Sequence, residues 1–273
     1  MKGKVYLVGA GPGDPELLTI KAYRLLRIAD VVLYDDLVSP EILKLVSPGA
    51  QLRNVGKRCG KKKITQQEIN FLMITLAESA HRVVRLKSGD PLIFGRLGEE
   101  VEALRRAGID FEIVPGVTAG FGAAASLEIP LTHRHASPAL VLITGHRASH
   151  NPDNDWSNYV ASGATLVIYM PGHEYSQIAS RLMKAGLSGE TPCAIVSRAS
   201  TAQQQSLVTT VTQLSVSQTL PAPTILIVGE VVRSAYKATD GAWEPARTLR
   251  HNLDLPGLLA SAEVFAQNEE PRP

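Results

Sequence analysis

Short apolar runs of strand length alternate along this chain with longer segments whose apolar residues recur at helical spacing, and few architectures accept that order. Val5 to Val8, "DVVLYDD" (30–36), "HRVVRLKSGD" (81–90) and "DFEIVP" (110–115) read as strands, as do "ALVLITGH", "ATLVIYM", "PCAIVS" and "TILIVG" further on. Between them, Asp14 as N-cap with Pro15 at the first helical position predicts a helix starting directly after the first strand. Thr65, three residues before Glu68, has the form of a capping box, and Gly108 stops the helix "GEEVEALRRAG". "GVTAGFGAAASLE" reads as a helix of small residues able to pack closely. The expectation is an α/β protein of two halves hinged near Thr132–Pro138: domains at 1–134 and 135–236, then an extension over 237–273 that lacks the alternation.

"VGAGPGDPELLT" (8–19) follows the first strand and looks at first like a phosphate cradle. Such a loop needs free backbone N–H groups aimed at an anion. Pro12 removes one donor and Asp14 adds a carboxylate, while the third position of G-x-G-x-x-G falls on Asp14. The glycines therefore mark a close approach to the backbone by something other than a pyrophosphate. Asp35, Lys57, Ser88-Gly89-Asp90 and Met170 all lie just past the end of an expected strand, where open α/β sheets bind ligands. Met170 reads equally as a core residue.

Composition narrows the rest. At 273 residues and 44% hydrophobic content the chain can build one large core or two modest ones. A net charge of +2 speaks against bulk nucleic-acid binding. The apolar start is too short for a signal peptide and no run reaches a membrane span. Cys59 and Cys193 offer neither a disulfide framework nor metal spacing, which fits a cytoplasmic compartment. One segment is strongly basic, "QLRNVGKRCGKKK" (51–63), and invites an anionic partner.

"VYLVGAGPGDPELLTIKA" (5–22), "VVLYDDLVSPEIL" (31–43), "VGKRCG" (55–60), "VVRLKSGDPLIFGR" (83–96), "VPGVTAGFGAAASLEIPLTHR" (114–134), "LITGH" (142–146), "TLVIYM" (165–170) and "PTILIVGEVV" (223–232) occur in this order. Together they resemble the tetrapyrrole methylase family, most closely its members that methylate uroporphyrinogen III, over about residues 3 to 236. The resemblance implies two α/β domains with S-adenosylmethionine in the trough between them, normally in a homodimer. By motif it assigns the cofactor to Pro12, Ser88, Gly89, Asp90, Ile93, Thr118, Ala119, Met170 and Ala199. Ser88 and Ala199 stand where the family commonly has glycine, and Asp36 where a basic residue or His is usual.

The implied reaction moves two methyl groups onto ring carbons of uroporphyrinogen III, giving precorrin-2 and S-adenosylhomocysteine, with no metal. The family assigns Asp35 as proton acceptor and Lys57 as donor. A substrate ringed by carboxylates calls for Arg58, Arg96, Arg134 and His146, with Glu99 beside Arg96. Arg96 is the leading catalytic candidate: it is an implausible base because it stays protonated, but it can grip a carboxylate with two parallel bonds or polarise the pyrrole. Competing readings are a methylase acting on a later precorrin, a nicotinamide-dependent oxidoreductase and a silent binder of the cofactor.

Overall fold

The structure, a computed structural model, describes residues 2–56, 64–79, 81–145 and 155–235. Lys57, Arg58 and His146, and the extension over 237–273, lie outside the described residues. Two five-stranded sheets organise the rest.

The first holds β1 (Lys4–Gly9), β2 (Val31–Tyr34), β3 (Gln51–Asn54), β4 (Arg82–Lys87) and β5 (Asp110–Val114) in the order β3-β2-β4-β1-β5. Every pairing in it is parallel. A parallel sheet needs crossovers, and these cover both faces. On one side α1 (Ile20–Ile28) and α2 (Pro40–Leu43) pack Leu26 and Ile42 on Val32, Val84 and Leu86. On the other, α3 (Gln66–Glu78) and α4 (Leu97–Arg106) pack Met73 and Leu104 on Val5, Leu7 and Val83. The capping box at Thr65 and Glu68 forms in both directions, and Gly108 leaves α4 at φ +61°.

The second sheet holds β6 (Leu140–Thr144), β7 (Thr165–Tyr169), β8 (Pro192–Ser197), β9 (Gln205–Thr210) and β10 (Thr224–Val228), ordered β6-β7-β10-β8-β9. Only β6 and β7 run parallel; the other three pairings are antiparallel. Helix α5 (Ala119–Ser126) leaves the first sheet's β5 and packs Ala123 and Ala124 on Val167, Ala194 and Val196 of the second. Its small residues make that closeness possible: a Cβ on Gly120 would meet the Tyr169 hydroxyl at 2.6 Å. The opposite face is covered by Trp156, α7 (Tyr175–Lys184) and α8 (Val211–Leu214), with the short α6 (Ser157–Ala161) preceding β7.

Two local expectations change. The helix does not start at Pro15: Asp14 caps only a 3₁₀ turn, Pro15–Leu17, and Leu18 leaves it in extended conformation. Thr19 then supplies a second cap, its Oγ1 accepting from the Ala22 N–H at 3.1 Å, and α1 begins at Ile20. Strand β9 was masked in the sequence because Gln205, Ser206, Thr209 and Thr210 hide its apolar pattern. Its β-branched "VTT" was the available signal.

Candidate active site at the strand ends

Because β1, β2, β4 and β5 are parallel, the loops after their C-terminal ends meet along one edge. Four glycine backbones interlock there. Gly11 and Gly89 exchange hydrogen bonds at 3.1 and 2.7 Å, both with positive φ, and the Ala10 N–H donates to the Lys87 carbonyl at 2.8 Å. A Cβ on Gly9 would lie 2.7 Å from the Gly116 nitrogen, and one on Gly116 would lie 2.5 Å from the Gly89 carbonyl. Asp90 ties the seam together, accepting from the Leu92 N–H at 2.7 Å and the Gly116 N–H at 3.3 Å.

The second sheet reaches this edge through Tyr169. Its hydroxyl hydrogen-bonds Thr118 Oγ1 at 2.7 Å and accepts from the Gly120 N–H at 3.1 Å, so it anchors the start of α5. Burial raises the Tyr169 pKa, and the Phe94 ring packs 5.0 Å away. Ile93, Ala119 and Ala199 belong to the same apolar cluster as Tyr169. Met170 follows it in the left-handed region at φ +50°, half exposed, and borders a cavity of about 280 Å³ with Gly145, Pro171 and Arg181. Pro12 abuts α5 from the other side, its Cγ 2.8 Å from where a Cβ of Gly122 would be. Phe94, Arg96, Met170, Arg198 and Ser200 all hold positive φ without being glycine, and such strain gathers where structure over-determines a site. Replacing Tyr169 by Phe would leave the Thr118 hydroxyl and the Gly120 N–H without their shared partner. The expected result is a loss of about 1–3 kcal/mol in unfolding free energy with weaker S-adenosylhomocysteine binding. Melts with and without that ligand check both, and an unchanged ligand-induced shift would remove Tyr169 from the site's support.

Asp35, just past β2, accepts from Arg85 Nη2 at 2.5 Å and keeps its side chain 30% exposed. Asp36 points elsewhere, accepting from Asn54 Nδ2 at 2.8 Å beside Gly56. Arg96 is the N-cap residue of α4 and pairs with Glu99 through two bonds of 2.7 Å, both side chains about half exposed. The Glu99 carboxylate raises the guanidinium's pKa further, so Arg96 remains a cation. Arg134 is exposed in a turn closed by the His133–Ser137 bridge, and no hydrogen bond or ion pair links it to Asp35 or Arg96 among the described residues. Ser88 stands between Lys87 of β4 and Gly89 of the seam.

Sequence reasoning passed over Tyr169, Arg85, Lys87 and Glu100. The last three form a buried charge cluster: Glu100 accepts from Arg85 Nε at 3.0 Å, from Lys87 Nζ at 2.8 Å and from Gln66 Nε2 at 3.3 Å. Two signals were present. Arg85 and Lys87 share the face of β4 that carries Val83, and Glu100 occupies one position of the apolar stripe Leu97, Val101 and Leu104 on α4.

The edge is glycine-lined and carries Asp14, Asp35 and Asp90 in its loops. Those properties suit a cationic, adenosine-bearing ligand such as S-adenosylmethionine better than a pyrophosphate, and the backbone seam leaves no room for side chains at Gly9 and Gly116.

Comparison with known proteins follows the same line. The sequence pattern described as Tetrapyrrole (Corrin/Porphyrin) Methylases matches residues 4–215. Siroheme synthase 1 of Yersinia enterocolitica (serotype O:8 / biotype 1B) is 48% identical over 232 residues, covering 85% of this chain and 49% of that protein. The siroheme synthase of Hahella chejuensis is 49% identical over 233 residues, covering 84% and 50%. The chain thus spans about half the length of these curated relatives. Among solved structures, a uroporphyrin-III C-methyltransferase from Thermus thermophilus complexed with S-adenosylhomocysteine superposes with a TM-score of 0.74 at 40% identity, covering 85% of this chain and 100% of that one. A cobalt precorrin-4 methyltransferase gives 0.73 at 30% identity, covering 84% and 95%.

Proposed function

The chain belongs to the tetrapyrrole methylase family, and from that premise we propose that it transfers two methyl groups from S-adenosylmethionine to ring carbons of uroporphyrinogen III, giving precorrin-2. The observation that supports the reading is that Asp35, just past β2 and beside the end of β4, lies on the strand-end edge whose loops carry the glycine seam and Thr118. The cofactor, when bound, supplies an electrophilic methyl on a sulfonium that is its own leaving group. Pro12, Ser88, Gly89, Asp90, Ile93, Thr118, Ala119, Met170 and Ala199 would hold it.

Positioning carries most of the rate. Holding reactants in line is worth about 7–11 kcal/mol, whereas a general base gives roughly 10²–10⁴-fold, or about 3–5 kcal/mol. Asp35 accepts the proton that the macrocycle loses, with Lys57 as the proton donor. Arg96, aligned by Glu99, grips a substrate carboxylate, and Arg58, Arg134 and His146 complete the basic lining. The 1–134 and 135–236 segments act as two domains, in a homodimer working in the cytoplasm on a small-molecule tetrapyrrole, apart from nucleic acid and membrane.

A second reading, methylation of a later precorrin, is favoured by the likeness to the cobalt precorrin-4 methyltransferase. The higher identity to the Thermus thermophilus enzyme supports uroporphyrinogen III instead. The nicotinamide-dependent oxidoreductase is opposed by Pro12 and Asp14 in the glycine loop. Calorimetric titration with S-adenosylhomocysteine and with NAD tests that choice: saturable binding of the first and none of the second is expected. Tight NAD binding would sink the methyltransferase reading.

A further inference from the structure

Four charged side chains form an unbroken row beneath the site. Lys87 Nζ meets Glu100 Oε2 at 2.8 Å, Arg85 Nε meets Glu100 Oε1 at 3.0 Å, and Arg85 Nη2 meets Asp35 Oδ1 at 2.5 Å. Signs alternate along the row, so it is neutral as a whole. Exposure rises only at one end: the side chains of Glu100, Lys87 and Arg85 are 0%, 4% and 3% exposed, and that of Asp35 is 30%.

Arg85 is the rigid link. Its planar fork spends Nε on Glu100, Nη2 on Asp35, and Nη1 on the Leu33 and Leu86 carbonyls at 3.4 and 3.3 Å. A guanidinium bonded on all sides has one orientation, and that orientation aims Nη2 at Asp35. Glu100 is what fixes it from behind, while Gln66 on α3 steadies the same Glu100 oxygen at 3.3 Å. Buried ion pairs are weak stabilisers, because well-packed apolar groups of similar volume do as well or better. A row of four, with only its last member at the reaction edge, is better accounted for by aim than by stability.

We propose that Glu100 is a positioning residue: through Arg85 it holds the Asp35 carboxylate where it takes the proton lost by the methylated macrocycle. The assignment rests on the reading of Asp35 given above. Lys87 is the far end of the row. Burial lowers its pKa against the opposing pull of Glu100. A hydrogen bond joins it to Glu100, while charge alone couples it to Asp35.

The test is a double-mutant cycle on turnover with uroporphyrinogen III and S-adenosylmethionine, using the full chain and counting folded sites by S-adenosylhomocysteine binding. Glu100→Gln keeps the shape and loses the charge. It should lower kcat per folded site about 10- to 100-fold, the scale of a misplaced catalytic group. S-adenosylhomocysteine affinity should stay unchanged. In an Asp35→Asn background, expected to retain measurable turnover, the same substitution should change kcat by less than about twofold, since nothing remains to aim. Arg82→Met, on the same strand but outside the row, breaks the ion pair with Asp30 and should keep most of kcat.

If Glu100→Gln fails to fold, Arg85→Lys carries the same cycle, because an ammonium keeps the charge but cannot reach Glu100 and Asp35 in one plane. Equal loss in both backgrounds, or as large a kcat loss from Arg82→Met as from Glu100→Gln, would overturn the role of Glu100 and leave the reaction standing. Absence of turnover in the unaltered chain, or wild-type kcat in Asp35→Asn, would overturn the reading of Asp35 and the role of Glu100 with it.

Discussion

Replacing Arg96 by alanine should nearly abolish methylation while leaving the dissociation constant for S-adenosylhomocysteine almost unchanged. Arg96 follows the Ser88–Asp90 loop and opens α4, and its guanidinium is already held in plane by two 2.7 Å bonds from Nε and Nη2 to Glu99. An arginine so aligned meets an arriving carboxylate without first ordering its own side chain, which otherwise costs about 0.5–1.5 kcal/mol. It is half exposed without substrate, so its pair with Glu99 contributes little to stability. Covered by a carboxylate-rich macrocycle, it becomes a desolvated partner whose removal costs about 2–5 kcal/mol. Arg96→Lys should recover little, because an ammonium lacks the two-pronged geometry. Wild-type turnover in the lysine variant, or loss of cofactor binding in the alanine variant, would reassign Arg96 to general electrostatics or folding.

Gly116→Ala is the second large effect. The new Cβ would lie 2.5 Å from the Gly89 carbonyl and 3.0 Å from the Gly9 Cα, all backbone atoms that cannot swing aside. Strand ends β1, β4 and β5 would have to separate, breaking the Gly116–Asp90 bond and displacing the loop that carries Ser88, Gly89 and Asp90. Overpacking of this kind costs about 1–3 kcal/mol and often more. The expected result is a lower melting temperature together with loss of S-adenosylhomocysteine binding. Gly98 provides the contrast: it lies in α4 with nothing within 4 Å of its added Cβ. Gly98→Ala should preserve binding and raise stability by about 0.5–1 kcal/mol. Isothermal titration and melts of both variants check the pair, and wild-type affinity in Gly116→Ala would mean that the seam does not shape the cofactor site.

The sequence carried the alternation that defines the first sheet, because parallel strands buried on both faces read as compact apolar runs between amphipathic helices. It carried less of the second. Direction of pairing leaves no trace in an apolar run such as "PCAIVS", so the antiparallel pairing of β10 with β7 and β8 was not legible. Thr19 competed with Asp14 as a cap, and local chemistry alone favoured the earlier position that carries Pro15. For the proposed site, glycine spacing and strand-end positions pointed to Asp35, Asp90 and Met170, and the family resemblance supplied the ligand. Arg85, Lys87 and Glu100 escaped notice because each looks like an ordinary charge in its own segment. Only the meeting of β4 with α4 turns them into a buried row, and a tertiary contact of that kind is not written in either segment. Ala199, where the family commonly has glycine, is accommodated in the apolar cluster beside Tyr169.

The central claim is that this edge directs a methyl from S-adenosylmethionine to carbon atoms of a tetrapyrrole. The most direct measurement is anaerobic incubation with uroporphyrinogen III and S-adenosylmethionine carrying a labelled methyl, followed by the mass and absorption spectrum of the product. The account predicts a macrocycle heavier by two labelled methyl groups, both on carbon, with two equivalents of S-adenosylhomocysteine released. Recovery of unmodified uroporphyrinogen III under conditions where S-adenosylhomocysteine binds, or label transferred only when a later precorrin replaces it, would contradict the account.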